Sequence, residues 1–141
     1  MARLPDPELV RFVRETLGCG CPEELVERTA LDRSEAGEPG LDVGGRLLVR
    51  VLIGDDVEGL VRNLPGAVLR LRDERDRRGF NRVRVVVAHD RLGDVAAALD
   101  RVVAALGPGD DRLHLHLLSP ADLPAALLED IETPGTREPA I

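Results

Sequence analysis

The segment RVRVVVAHDRLGDVAAALDRVVAAL, residues 82–106, carries the clearest pattern in the chain. Arg82–Ala88 is rich in valine and begins by alternating Arg with Val, which predicts a β-strand. A helix is predicted to start after Asp90 because apolar residues then recur at helical spacing. These residues are Leu92, Val95, Ala96, Leu99, Val102, Val103 and Leu106. A strand followed directly by an amphipathic helix is typical of an α/β fold.

Two further strands and one further helix surround this segment. Residues 46–53 and 113–118 are predicted strands, and residues 57–78 are predicted to be helical. Pro65-Gly66 interrupts that pattern, so a short turn is expected before a helix from Pro65 to Arg78. Residues 28–33 are a candidate edge strand, and residues 34–45 are predicted to be an exposed loop. Because the order of strands and crossover helices makes neighbours parallel, we expect a two-layer α/β sandwich of three to four mostly parallel strands.

Alternation within the strands assigns their residues to two faces of the predicted sheet. One face is wholly apolar and is expected to pack against both crossover helices: Leu47, Val49, Val51, Ile53, Val83, Val85, Val87, Leu113, Leu115 and Leu117. The other face starts polar and ends apolar in each strand: Arg46, Leu48, Arg50, Leu52, Arg82, Arg84, Val86, His114, His116 and Leu118. An N-terminal helix beginning at Asp6-Pro7-Glu8 is the expected cover for the apolar part of this second face.

The polar part of the second face is the first candidate site. Its basic side chains are expected near the N-terminal ends of the strands. Guanidinium groups on one surface suit a phosphate or carboxylate ligand, so the pattern predicts anion binding by Arg46, Arg50, Arg82 and Arg84. The plainer alternatives are ion pairs with acids of the first helix, such as Glu8 and Glu15, or solvation of the charges.

The second candidate site is the segment Cys19-Gly20-Cys21-Pro22. Cys21 is predicted to be the N-cap of a short second helix, where the helix dipole favours a thiolate and the charges of Glu23 and Glu24 oppose it. Two thiolates bind a soft metal ion, but a zinc or iron–sulfur site needs about four ligands. The remaining ligands would come from His114 and His116, or from the cysteines of a second copy in a homodimer. Thiol redox chemistry and plain packing of the cysteines are the alternatives.

The decapeptide from Glu15 to Glu24, ETLGCGCPEE, resembles a segment of small uncharacterised prokaryotic proteins, and residues 44–49 extend that likeness. The resemblance implies no activity, so the functional hypotheses depend on the residues themselves. The first is a non-enzymatic metal- or iron–sulfur-binding protein, and the second is a thiol redox protein. The third is an interaction module that binds an acidic ligand or partner through its Arg/His face. No residue is assigned a catalytic role.

Composition and charge limit the classes of protein to which this chain can belong. The 141 residues, 43% of them hydrophobic, predict one globular domain over residues 1–131 and a flexible tail over residues 132–141. All 19 basic residues are Arg, and the net charge of −7 argues against nucleic acid and anionic membranes as partners. The chain shows no apolar stretch of membrane-spanning length and no signal-peptide pattern, so we expect a cytoplasmic protein with reduced thiols.

Overall fold

The chain forms one five-stranded β-sheet that has helices on both faces. The structure is a computed structural model that describes residues 7–18, 20, 22–54, 56–106 and 111–127. The strands lie side by side in chain order. They are β1 (Thr29–Leu31), β2 (Gly40–Val43), β3 (Leu47–Ile53), β4 (Arg82–Ala88) and β5 (Leu113–Leu118). Pairing is antiparallel from β1 to β3 and parallel from β3 to β5, so the sheet is mixed.

Helices precede the sheet and connect its parallel strands. They are α1 (Pro7–Arg11), which continues as a π-helical segment (Phe12–Thr16), α2 (Glu23–Val26), α3 (Val57–Arg77) and α4 (Leu92–Leu106). A 3₁₀ turn (Pro120–Asp122) follows β5, and the Ser119 side chain accepts a hydrogen bond from the Ala121 amide there. None of the helices in the described part of the chain is long and apolar enough to cross a lipid bilayer.

Two apolar cores form, one on each face of the sheet. α3 and α4 pack on one face, where the buried core includes Leu48, Leu64, Val68, Leu71, Phe80, Val83, Val85, Val87, Val95, Leu99 and Val102. The first helix packs on the opposite face with Leu9, Phe12, Val13, Leu17, Leu41, Val43, Leu47, Val49, Val51, Val86, Ala88, Leu123 and Leu127. Burial on both faces is the reason that β3 and β4 are rich in valine and leucine.

The α/β class and the three parallel strands in chain order are confirmed, whereas the prediction of three to four mostly parallel strands is wrong. β2 lies inside residues 34–45, which the sequence predicted to be an exposed loop. Leu41 and Val43 are buried there, and Gly44 and Gly45 turn the chain into β3 with positive φ values of 61° and 73°. The candidate edge strand over residues 28–33 is present as β1. The predicted tail, residues 132–141, lies outside the described residues.

Helix α3 is continuous, so the prediction that Pro65 divides it is wrong. Pro65 lies on the exposed side of the helix, where water can reach the carbonyl that loses its hydrogen bond. On the opposite side, Leu64, Val68 and Leu71 are wholly buried against the sheet. Core packing on both sides of the proline therefore keeps the helix in one piece.

The predicted faces are correct for β4 and β5 and wrong for β3. The register pairs Leu48 with Val83, so Leu48, Arg50 and Leu52 lie on the side of α3 and α4. Arg50 therefore lies on the opposite face from Arg82 and Arg84. β3 is buried on both faces. The spacing of its polar and apolar residues therefore does not indicate an exposed face.

Arg50 is fully buried because it forms the centre of an ion-pair network. Its Nε and Nη2 atoms donate to the two carboxylate oxygens of Glu74 at 3.2 and 2.6 Å. It also donates to the carbonyl of Asp32 at 2.7 Å and to that residue's carboxylate at 2.6 Å. Arg78 closes the network on the same two carboxylates. Two guanidinium groups thus balance two carboxylates and join β3, α3 and the chain after β1.

Candidate functional site

A basic cleft lies on the sheet face that the first helix covers. Its cavity has a volume of about 350 Å³, and β4, the turn before β3 and the segment before α2 enclose it. Its lining residues are Gly20, Pro22, Leu25, Arg46, Leu47, Asn81, Arg82 and Arg84. Three guanidinium-bearing residues and no acidic residue of the described chain line this cavity, which we call the basic cleft.

The backbone around Arg46 brings these side chains together. The Arg46 carbonyl accepts hydrogen bonds from the amides of Asn81 and Arg82, at 2.8 and 3.2 Å. This pairing fixes the start of β4 beside the turn that precedes β3. Arg82 and Arg84 then project to one side of β4 because side chains two residues apart in a strand share a face. The cleft therefore follows from the β3–β4 register.

Arg84 is the half-buried cation of the cleft. Its Nη1 donates to the Leu17 carbonyl at 2.8 Å and lies 2.9 Å from Nε2 of His116. Its Nε is buried and, among the described residues, has no hydrogen-bond partner. Burial, and secondly the charge of Arg82, lower the pKa of the Arg84 guanidinium from its usual value. Neither cause stabilises the cation, so Arg84 is a charge that an anion would stabilise.

His116 is neutral at pH 7. Burial, then the charge of Arg84 and then His114, lower the pKa of His116 to about 4. Because a guanidinium only donates, Nε2 of His116 accepts its hydrogen bond and the ring proton resides on Nδ1. Arg82 lies in the equivalent position, with its Nη1 3.3 Å from Nε2 of His114 and 3.1 Å from the Asp111 carbonyl. The two Arg/His pairs therefore form adjacent rows across β4 and β5.

No described carboxylate forms an ion pair with Arg46, Arg82 or Arg84. The buried Arg50 differs, since it forms ion pairs with Asp32 and Glu74, which it shares with Arg78. Glu8, which sequence reasoning offered as a partner for the basic face, instead accepts a hydrogen bond from the Ala125 amide. The cleft therefore concentrates positive charge in a chain that is acidic overall.

The predicted site residues divide into three groups. Arg46, Arg82 and Arg84 line one cavity, and His114 and His116 lie beside it. Arg50 is on the other face of the sheet and is bound to carboxylates, so the structure separates it from this set. The cysteines of the predicted metal site, Cys19 and Cys21, lie outside the described residues.

Nε2 of each histidine beside the cleft lies close to a guanidinium group. A metal ion bound to Nε2 of either His114 or His116 would meet the positive charge of Arg82 or Arg84. Among the residues that the structure describes, no group of three or more His, Cys, Asp or Glu side chains is arranged to hold a metal ion. The described geometry therefore fits an anion better than a cation.

A larger cavity, of about 810 Å³, lies between α3 and the chain that leads into β2. Its charged groups are already balanced, because Arg70 donates to both carboxylate oxygens of Glu38 at 2.8 and 2.7 Å. Asp56 at its rim caps α3 by accepting a hydrogen bond from the Glu58 amide. Size alone distinguishes this cavity, whereas the basic cleft has, among the described residues, unbalanced positive charge and a buried donor without a hydrogen-bond partner.

Sequence reasoning missed two contributors to the cleft. Asn81 lines it from the turn before β4, and the Leu17 carbonyl orients Arg84. A single asparagine and a backbone carbonyl leave no periodic signal in a sequence. Comparison with protein-family models, with curated proteins and with solved structures finds no match.

Proposed function

We propose that this protein binds a small ligand carrying a phosphate or carboxylate group in the basic cleft. The observation that carries the proposal is Arg84, a half-buried cation whose Nε has no partner among the described residues and whose neighbour Arg82 raises the local positive charge. Leaving such a group without a counter-charge costs free energy in the unliganded protein. An anion that accepts from Arg84 would recover that cost.

The chemistry of the cleft suits an oxyanion. Guanidinium groups donate paired N–H bonds that match the spacing of phosphate and carboxylate oxygens. Arg46 and Arg82 supply two more such groups, and Asn81 adds an amide that donates to an oxygen or accepts from a hydroxyl. A cavity of about 350 Å³ lies at the lower end of the range for small-molecule sites, which favours a compact ligand.

Thermal unfolding with inorganic phosphate tests this proposal. A ligand with a Kd of about 1 mM, present at about 20 mM, stabilises the folded state by roughly 2 kcal/mol, which raises the Tm by about 6 °C. Ionic strength is held constant with sodium chloride. In Arg84→Gln we expect the phosphate-dependent rise in Tm to fall to less than about 2 °C.

Arg77→Gln is the matched control, since it removes the same charge from an exposed residue on α3. It is expected to keep the wild-type response to phosphate. Phosphate also stabilises proteins without binding a specific site, and that contribution is the same in all three proteins. If Arg84→Gln and Arg77→Gln respond to phosphate as the wild type does, the basic cleft is not the binding site.

A second candidate function is the metal or thiol chemistry of Cys19 and Cys21 in a reducing cytoplasm. The observation that favours it is that Gly20, the residue between the two cysteines, lines the basic cleft. Neighbouring cations stabilise thiolates, the form that binds metal or exchanges disulfides. Anaerobic metal analysis and a visible absorption spectrum of wild type and Cys19→Ser test it. Absence of metal, together with no reversible disulfide, would exclude this function.

A further inference from the structure

We propose that the outer edge of β5 pairs with the same strand of a second copy of this chain, forming a homodimer with a continuous ten-stranded sheet. This inference stands independently of ligand binding in the basic cleft. It depends on three features of the described residues: the hydrogen-bonding direction of β5, the exposed flank of α4 and the symmetry of the β5 sequence.

The first feature is a row of backbone groups that point away from the sheet. In the parallel ladder, Val83 donates to the Arg112 carbonyl and His89 donates to the Leu118 carbonyl. His114 and His116 therefore also direct their N–H and C=O groups toward β4. Leu113, Leu115 and Leu117 direct theirs outward, and no described residue pairs with them. A strand edge of six residues that has no proline and no partner strand in the described part of the chain is a template for another strand.

The second feature is an apolar flank on α4, beside that edge. Leu92, Ala96 and Val103 lie along one side of the helix, next to the buried stripe of Val95, Leu99 and Val102. Leu92 is 37% exposed and Val103 is 51% exposed. The opposite flank carries the buried Ala98, and α3 is the helix packed beside α4. The exposed flank therefore lies on the side away from α3, above β5.

These two features together favour a second copy over an isolated peptide. An extended peptide added to β5 would satisfy the strand edge and leave the flank of α4 in water. The partner must supply both a strand and an apolar helix in the same relative position, and this chain has both. A twofold axis through Leu115 would place α4 of one copy against α4 of the other.

The third feature is that β5 is self-complementary in the antiparallel direction. With Leu115 opposite its own symmetry mate, Leu113 meets Leu117 and His114 meets His116. Leucines then share one face of the extended sheet and histidines share the other, and about six hydrogen bonds join the two strands. The backbones of the two β4 strands would lie roughly 14 Å apart, which is three inter-strand spacings.

The test measures the mass in solution and the amide hydrogen exchange of β5, using the full chain. Light scattering is expected to give a mass about twice the 15.3 kDa of one chain. Val103→Glu, which places a charge in the helix contact, is expected to yield a 15.3 kDa monomer. Leu69→Glu is the matched control, because Leu69 is 43% exposed on α3, and it is expected to remain dimeric. Leu92→Glu, on the same flank as Val103, is a second variant in case Val103→Glu does not fold.

Hydrogen exchange distinguishes this interface from any other. In the wild type, the outward amides of Leu113, Leu115 and Leu117 are expected to be protected along with those of His114 and His116. In the monomeric variant, the three outward amides should exchange at least about tenfold faster, while the inward ones stay protected by β4. A wild-type monomer would overturn the proposal, as would a dimer with unprotected outward amides. A monomer with protected outward amides would show instead that another part of this chain covers the edge.

Discussion

Replacing Glu74 by Gln tests whether the buried ion-pair network holds β3 to α3. Glu74 is 6% exposed and accepts three hydrogen bonds, two from Arg50 and one from Arg78 at 2.7 Å. A glutamine would keep one oxygen, turn its NH₂ toward guanidinium donors and remove the counter-charge from a fully buried Arg50. A charge-assisted hydrogen bond contributes about 1.5–3 kcal/mol, and breaking one side of a buried pair costs about 3–5 kcal/mol. We therefore expect a loss of about 3 kcal/mol in the free energy of unfolding.

Urea unfolding followed by far-ultraviolet circular dichroism at pH 7 measures this loss, since the chain has no Trp or Tyr for fluorescence. For a domain of this size, a loss of about 3 kcal/mol corresponds to a Tm lower by about 10 °C. Asp73→Asn is the control, because Asp73 forms an exposed pair with Arg77 at 3.4 Å and should change stability by less than about 0.5 kcal/mol. If Glu74→Gln is as mild as Asp73→Asn, the network does not exist in solution as described.

Two other predictions concern backbone contact and pH. Gly40→Ala should destabilise the fold by more than about 2 kcal/mol, because its methyl group would overlap the Val49 carbonyl oxygen. Gly66→Ala, in an open helical position, should stabilise the fold by about 0.5–1 kcal/mol, and equal effects of both substitutions in urea unfolding would contradict the packing of β2 on β3. His116 has a folded pKa of about 4, against about 6.5 when unfolded, so the unfolded chain binds more protons between these values and stability falls as pH drops through this window. At 1.36 kcal/mol per pH unit the limit is about 3 kcal/mol, reduced to roughly 1–2 kcal/mol because the ring is partly exposed. Unfolding titrations from pH 7 to pH 4.5 should show this loss in the wild type and not in His116→Gln, and identical slopes would refute the neutral state of His116.

The acidic groups of the ion-pair network act in a separate pH range. Arg78 and Arg50 lower the pKa of Asp32 and Glu74 against the opposing effect of burial. Their contribution to stability is present above the ordinary carboxyl pKa and is lost progressively as pH falls through the lowered pKa values of these two groups. The His116 window can therefore be observed before these ion pairs are protonated.

Much of the fold was readable from periodicity, and the failures have a common physical cause. The alternation at the start of β4 was decisive because Val83 is buried there while Arg82 is exposed and Arg84 is half-buried, and the stripe on α4 was decisive because that helix has one covered side and one exposed side. β3 is buried on both sides, so Arg50 looked like a surface residue although it serves as an internal ion-pair partner. Long-range partners such as Asp32 and Glu74, which permit that burial, leave no local signal.

The errors at β2 and Pro65 also come from tertiary context. Gly44-Gly45 between alternating apolar residues is a hairpin signal, and Leu41 and Val43 on the preceding side could have predicted β2. Pro65 breaks an isolated helix, but buried neighbours before and after it hold α3 together. For the site, the shared face of Arg82, Arg84, His114 and His116 was predictable, whereas the cavity beside it depends on how the first helix and the segment before α2 pack.

The most direct test of the central claim is a nuclear magnetic resonance titration of the Arg84 Nε–H and the His116 ring with inorganic phosphate. The Nε–H has no described hydrogen-bond partner, so its resonance reports a new acceptor without first losing an old one. We predict saturable shifts of both groups with a Kd on the order of 1 mM, and no comparable shifts with sodium chloride at equal ionic strength. Unchanged Arg84 and His116 resonances, or equal changes with both salts, would contradict the account of the cleft as an anion-binding site.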